Sequence, residues 1–381
     1  MIGAGVVGCA VARRLSADWS DVFVVERHAY PAEEQSGRNS GVVHAGIYYQ
    51  PGSLKSRLCA TGNRMLYDFC AEHDVPCRRV GKLVVAVSDE EVRTLRLLEE
   101  WARKNHARGV HMIGPGEVRA HEPGVRALCA LHCPSTGVVE PAHLVRSLVR
   151  LAGAQGADFL FGAEVTALEP CGDGVRVEVA YSGGGGESVV CEHLVNAAGL
   201  ASDRIARMLD PDCRYSLSPV RGEYCWFNRR RRRELEFRGT NVYPAPPVLE
   251  IGGGTRFTVG VHLTPTFEAD KSGDVSIGRK VLVGPTADVV ERRDDYAPPR
   301  LPPEEFVRRV ERFFPSLRPE DLEPDYAGIQ AKLTRGDDFV IERDRRCPAC
   351  VHAIGIDSPG LTSSLAIAEE VARLLQGGVA R

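Results

Sequence analysis

No apolar run in this chain reaches the roughly 20 residues that a membrane-spanning helix requires, which excludes a helical span but leaves shallow, peripheral membrane contact open. An excess of one charge is also missing. Lys plus Arg number 48 and Asp plus Glu 51, a formal charge of −3 with histidines neutral. A protein that binds nucleic acid or anionic lipid over its whole surface needs a positive excess, so no nucleic-acid partner is expected. There is no repeating cysteine framework either. The 12 cysteines are scattered and read as reduced, structural thiols rather than a disulfide scaffold. Cys347-Pro-Ala-Cys350, with His352 just beyond, has the spacing of half a zinc site. No second close pair completes it, so no metal is expected. No secretory or mitochondrial leader is visible before the first motif, because the chain opens Met1-Ile2-Gly3.

What is present is length and apolar content. With 381 residues, 43% hydrophobic and 26% charged, the chain has material for two domains under an ordinary solvated surface. Gly3-Ala4-Gly5-Val6-Val7-Gly8 satisfies G-x-G-x-x-G and runs into a helical pattern with Val7, Ala10, Val11 and Leu15 on one side. Val22 to Val25 follows as a buried parallel strand that ends at Glu26, 18 residues past Gly8. In such a unit Gly3 permits the tight turn, Gly5 lets backbone approach a pyrophosphate, and Gly8 lets helix pack on sheet. The helix start favours the anion, and the acid at the strand end accepts from a ribose hydroxyl. Of the first strand only Met1 and Ile2 are present, where a central strand has about five or six residues. A truncated or misassigned start is the expectation.

Further along, 53–74 and 89–108 have helical periodicity, separated by the strand-like Gly81 to Val87. A helix is expected at 142–155. Residues 158–199 give three strands, DFLFGAEVTALE, VRVEVAY and VVCEHLVNAA, the last two joined by a Gly183–Gly186 hairpin loop. From 216 to 340, strand-like pieces punctuated by Gly and Pro, with one helical candidate at 303–313, describe a mixed sheet. The five-arginine run Arg229 to Arg233 reads as a solvated hairpin or insertion, with an anionic lipid or protein contact as the alternative. Leu361 to Leu375 is an amphipathic helix. The fold class is therefore α/β and α+β, a Rossmann-like nucleotide domain with a second mixed-sheet substrate domain. Nucleotide-domain segments are expected at 1–80, 141–215 and 341–381, and substrate-domain segments at 81–140 and 216–340.

These residues resemble the FAD-dependent oxidoreductases that include D-amino-acid and glycine oxidases, and within them the L-2-hydroxyglutarate-oxidising family. The similarity spans essentially the whole chain. It rests on IGAGVVGCAVARRL, SGRNSGVVHAGIYYQPGSLKSRLC, STGVVEPAHLV, VNAAGLASDRIA, VGVHLTPT, DYAGIQAKL and GIDSPGLTSSLAIAEEVARLL. The resemblance implies FAD, bound by Gly3, Gly5, Gly8, Glu26 and Arg27. It places Arg38, Asn39 and Ser40 near the pyrophosphate or flavin, Val165 near the adenine, and Ala198 and Gly199 along the cofactor. Ser358, Pro359, Gly360, Leu361 and Thr362 would face the flavin ring, where a helix start stabilises negative charge. The implied reaction sends hydride from a 2-hydroxy dicarboxylate to flavin N5, then electrons to a quinone or another electron-transfer acceptor. The implied place is the mitochondrion in a eukaryote, and the cytoplasm or the inner-membrane face in a bacterium.

Such an oxidation also needs a base for the hydroxyl proton, and a neutral histidine suits it. His262 and His44 are the candidates, with His262 preferred because its block belongs to the substrate domain. An acidic limb near pH 6 to 7 is expected from such a base. Tyr48, Tyr49 and Tyr243 are expected to shape the pocket. For the two carboxylates the candidates are Arg221, Lys332 and, more loosely, Arg256. At Gln330 the chain reads GIQ where the family commonly reads GIR, which keeps donors but removes a charge. An amino-acid or secondary-amine oxidase of the same superfamily, and a non-catalytic flavin- or nucleotide-binding protein, are the alternatives.

Overall fold

The computed structural model describes residues 1–251 and 254–377, with the side chains of residues 249–256 outside the description. At the start of the chain, Gly3 takes φ +98°, and a Cβ there would lie 2.6 Å from Ala197 O. A Cβ on Gly8 would lie 1.9 Å from Gly3 O. Both positions therefore exclude a side chain. The helix Val6–Leu15 buries Val6, Ala10, Val11 and Leu15 in a core shared with Leu144 and Leu148 of the helix Pro141–Ala154. Ile367 and Val371 of the helix Gly360–Gln376 complete that core. Each fully buried Val, Leu or Ile contributes roughly 1.5–3 kcal/mol.

The strand expected at the very start is reduced to one bridging residue. Ile2 pairs in parallel with Val25 on one side and Asn196 on the other. Its N–H bonds Val195 O at 2.9 Å, and its carbonyl accepts from Ala197 N at 3.0 Å. Ile2 thus joins two half-sheets. Phe23–Glu26 pairs in parallel with Asp158–Phe161. Leu194–Asn196 pairs in parallel with Cys350–Ile354, which Val340–Arg343 flanks in antiparallel.

Two strands read as continuous are each divided. DFLFGAEVTALE breaks at Gly162, whose φ of +67° turns the chain. Asp158–Phe161 then belongs to the parallel sheet, and Ala163–Cys171 to a separate antiparallel sheet with Gly174–Tyr181 and Gly186–Cys191. VVCEHLVNAA likewise contributes the end of the strand Gly186–Cys191 to one sheet and Leu194–Asn196 to the other.

The second body is a nine-stranded mixed sheet. Lys82–Ala86 pairs in parallel with Asn241–Pro244 and in antiparallel with Cys129–His132. Beyond Asn241–Pro244 come His262–Ala269, Val275–Gly284 and Leu217–Asn228. The last of these pairs with both Asp288–Val289 and Glu323–Leu333. Phe227, Phe237 and Phe314 form its aromatic centre, closed by Phe306 of the helix Pro303–Val310. Leu95 and Leu98 of the helix Asp89–Lys104 pack near Val84 and Tyr243. The arginine run follows Leu217–Asn228 as a turn: Arg229 donates to Phe237 O at 3.0 Å, and Arg232 pairs with Asp321 at 2.6 Å.

Candidate active site

A cavity of about 530 Å³ runs from the glycine turn to the edge of the nine-stranded sheet. At its first end, Glu26 accepts from Ala4 N at 2.7 Å and His28 N at 2.9 Å, which fixes its carboxylate beside Gly3 and Gly5. Ser36 Oγ takes the Val6 N–H at 3.0 Å, and Gly5 supplies no side-chain cap to the helix. A Cβ on Gly5 would press on Ser36 Oγ at 3.1 Å. A helix start whose N-cap residue has no side chain of its own suits a pyrophosphate. Arg27 also lines the cavity and pairs with Glu34. Val165, Ala198 and Gly199 form the adjoining wall. Gly8 is not in the lining, because it packs against Gly3 O.

Residues 38–40 lie along the middle of the cavity. Arg38 donates to Glu33 O at 3.0 Å and stacks 4.4 Å from the Tyr296 ring. Asn39 spends its side chain inside the loop, donating to Ser36 O at 2.7 Å and accepting from Gly41 N at 2.8 Å. Its contribution is loop shape. Pro359, Gly360 and Leu361 line the cavity where the helix Gly360–Gln376 begins. Thr362 does not: its hydroxyl accepts from His44 N at 3.0 Å and lies 3.3 Å from Val42 O. Thr362 is therefore a clamp on the His44 segment. Asn63 adds a second clamp, donating to His44 O at 2.9 Å. The cradle, the fixed acid and the long lining fit a dinucleotide such as FAD.

The far end gathers His44, Tyr48, Tyr49, Tyr243, His262, Gln330 and Lys332. His262 stacks on Tyr243 with ring centroids 3.8 Å apart. Its Nδ1 lies 2.9 Å from Gly260 O, so that nitrogen carries the proton and Nε2 is left as an acceptor. Nε2 is buried with no protein partner among the described residues. Burial pushes His262 down to about 3, against the Gly260 hydrogen bond and with help from the Lys82 charge. His44 is also driven well below its usual range, by burial first and then by Lys82 and His262. Ser358 Oγ stands 3.3 Å from His44 Nε2 and 3.4 Å from Tyr49 OH.

Asp357 sits between two lysines, 2.7 Å from Lys55 Nζ and 3.0 Å from Lys332 Nζ. Burial opposes its charge, but the two ammonium groups outweigh that and hold the carboxyl below its usual range. Asp357 in turn raises Lys332. Lys55, Asp357, Ser36 and Lys82 are the residues the sequence did not single out. Lys82 heads a strand whose five residues are all buried, which the sequence alone does not reveal.

Arg221 is not at the cavity. It is buried against Glu223 and donates to Asp295 O at 3.1 Å and Ala297 O at 2.6 Å, so its donors are taken. The side chain of Arg256 lies outside the described residues. Cys350 and His352 belong to a buried network elsewhere, with His352 Nε2 2.9 Å from Asp344 and Nδ1 3.0 Å from Asn196.

Comparison with known proteins agrees with this geometry. A family model described as FAD dependent oxidoreductase matches residues 1–374. The mitochondrial L-2-hydroxyglutarate dehydrogenase of Arabidopsis thaliana is 33% identical over 98% of this chain and 82% of the relative. The L-2-hydroxyglutarate dehydrogenase of Escherichia coli K12 is 27% identical over 99% and 92%. Among solved structures, the dithionite-reduced L-alpha-glycerophosphate oxidase of Mycoplasma pneumoniae with FAD bound superposes with a TM-score of 0.85. It is 26% identical and covers 98% of this chain and 93% of that one.

Proposed function

Because the chain belongs to the FAD dependent oxidoreductase family, we propose that it oxidises L-2-hydroxyglutarate, the substrate its relatives' names carry, to 2-oxoglutarate. FAD would be held by Gly3, Gly5, Glu26, Val165, Gly199 and the turn before Leu361, and would supply the acceptor for the α-hydrogen and its electron pair, with a quinone or another acceptor as the electrons' proposed destination.

The chain's own side chains do the rest. As the α-hydrogen leaves with its electron pair, the hydroxyl must lose a proton for the carbonyl to form. We assign that proton to His262 Nε2, an assignment supported by Gly260 O, which holds the ring's own proton on Nδ1. His44, tethered through its backbone to Thr362 and Asn63, is the second candidate. Lys332 and Lys55, with the Gln330 amide, are assigned to one substrate carboxylate. Asp357 keeps the two ammonium groups fixed at the cavity. The rings of Tyr48 and Tyr243, at 6.4 Å, form an apolar wall that excludes water from the reacting carbon.

One observation carries this reading: a buried histidine acceptor, with no partner among the described residues, lines the same cavity as two lysines that share Asp357. A product assay tests it. The expected result is 2-oxoglutarate formed without ammonia. Ammonia release from an amino acid, with 2-hydroxyglutarate inert, would overturn it in favour of an amine oxidase.

A further inference from the structure

Lys82 has no role in the machinery described above, yet it is the residue there that is hardest to explain. It heads the strand Lys82–Ala86 with a relative exposure of 0%. Its Nζ has no hydrogen-bond acceptor among the described residues. It lies 4.3 Å from the Tyr243 ring centroid and 4.9 Å from that of Tyr48, two rings that line the cavity while Lys82 does not. A buried, unpaired ammonium is costly, and aromatic faces recover only part of the lost solvation. Packing alone would favour Met or Leu here. Lys55 and Lys332 differ, since each has Asp357 as counter-charge.

We infer that Lys82 is a specificity-determining residue: from behind Tyr48 and Tyr243 its ammonium offsets the second negative charge of a dicarboxylate. This rests on the dicarboxylate reading above and adds the group that distinguishes a dianion from a monoanion. Within a poorly solvated wall a charge acts across several ångströms. No carboxylate among the described residues pairs with this ammonium, so an arriving substrate anion would.

The groups facing Lys82 do not titrate with it. Burial holds the Cys59 and Cys133 thiols up at about 12. The hydroxyls of Tyr48 and Tyr243 are raised above 10, and His44 and His262 lie below the usual histidine range. Lys82 itself is brought down to about 8, chiefly by burial. Between about pH 7 and pH 9.5 it is the member of this set that changes charge.

The test compares glutarate and butyrate, which are unreactive, by perturbation of the flavin spectrum in the parent holoenzyme, Lys82→Met and Lys82→Arg. Lys82→Met should keep its FAD and melt no lower than the parent, since it removes a buried unpaired charge. It should bind glutarate about tenfold or more weaker while butyrate changes little, and Lys82→Arg should restore part of the preference. In the parent, without any substitution, the glutarate-to-butyrate preference should fall as pH rises from about 7 to about 9.5. An unchanged preference in Lys82→Met, or a parent preference that is flat over that range, overturns the assignment. A lower melting temperature with equal loss of both ligands assigns Lys82 to packing and overturns it too. If the parent responds to neither glutarate nor 2-hydroxyglutarate, the dicarboxylate reading itself has failed.

Discussion

At the residue scale, the proposed chemistry turns on which nitrogen of His262 is free. Replacing His262 with Gln should slow anaerobic flavin reduction by roughly 10² to 10⁴ while FAD stays bound. The same change at His44 measures the competing assignment, and near-parental rates in both variants would exclude both. The acidic limb expected near pH 6 to 7 is moved by burial. With His262 at about 3, the base stays unprotonated as pH falls through 6, so kcat/KM should decline only well below pH 6. His44, Tyr48, Tyr49 and His262 were legible because HAGIYY and VGVHLTPT stand as blocks. Lys82 was not, since a lone lysine at a strand start reads as a solvated end. Arg221 misled for the opposite reason. Glu223, two residues on and therefore on the same strand face, supplies the partner that takes it from the site. Arg221→Met should leave the Glu223 charge buried and destabilise the fold by about 3–5 kcal/mol. Its ligand preference should be unchanged, as chemical denaturation and a binding titration would show; an altered preference would return Arg221 to the site.

At the element scale, the glycine turn is the proposed seat of the cofactor. Gly5→Val puts a branched side chain where even one Cβ meets Ser36 Oγ at 3.1 Å. The protein should purify folded by circular dichroism but colourless, and a yellow product with parental FAD content would contradict the cradle. Most helices were legible because their apolar periodicity is strong, but the short helices Pro115–His121 and Ser202–Leu209 were not read from the sequence. Strand membership was less so. Alternation marks a strand but not its sheet, and a single positive-φ Gly162 suffices to send the two halves of one apolar run to different sheets. The start shows the same limit from the other side. A pattern of two residues cannot reveal that Ile2 bridges both Val25 and Asn196, because that pairing is set by strands about 170 residues apart.

At the scale of the whole molecule, the site exists because distant segments converge. The glycine turn, the His44 loop, the strand His262–Ala269, the strand Glu323–Leu333 and the start of the helix Gly360–Gln376 all border one cavity. Convergence of this kind fixes orientation, which is most of what a chain contributes when its cofactor supplies the electron chemistry. The measurement that tests the central claim most directly is an anaerobic titration of the purified, FAD-loaded protein with each enantiomer of 2-hydroxyglutarate, read at the flavin absorbance. The expected result is stoichiometric bleaching by the L enantiomer and none by the D enantiomer. Bleaching by neither, or by D alone, would contradict the account.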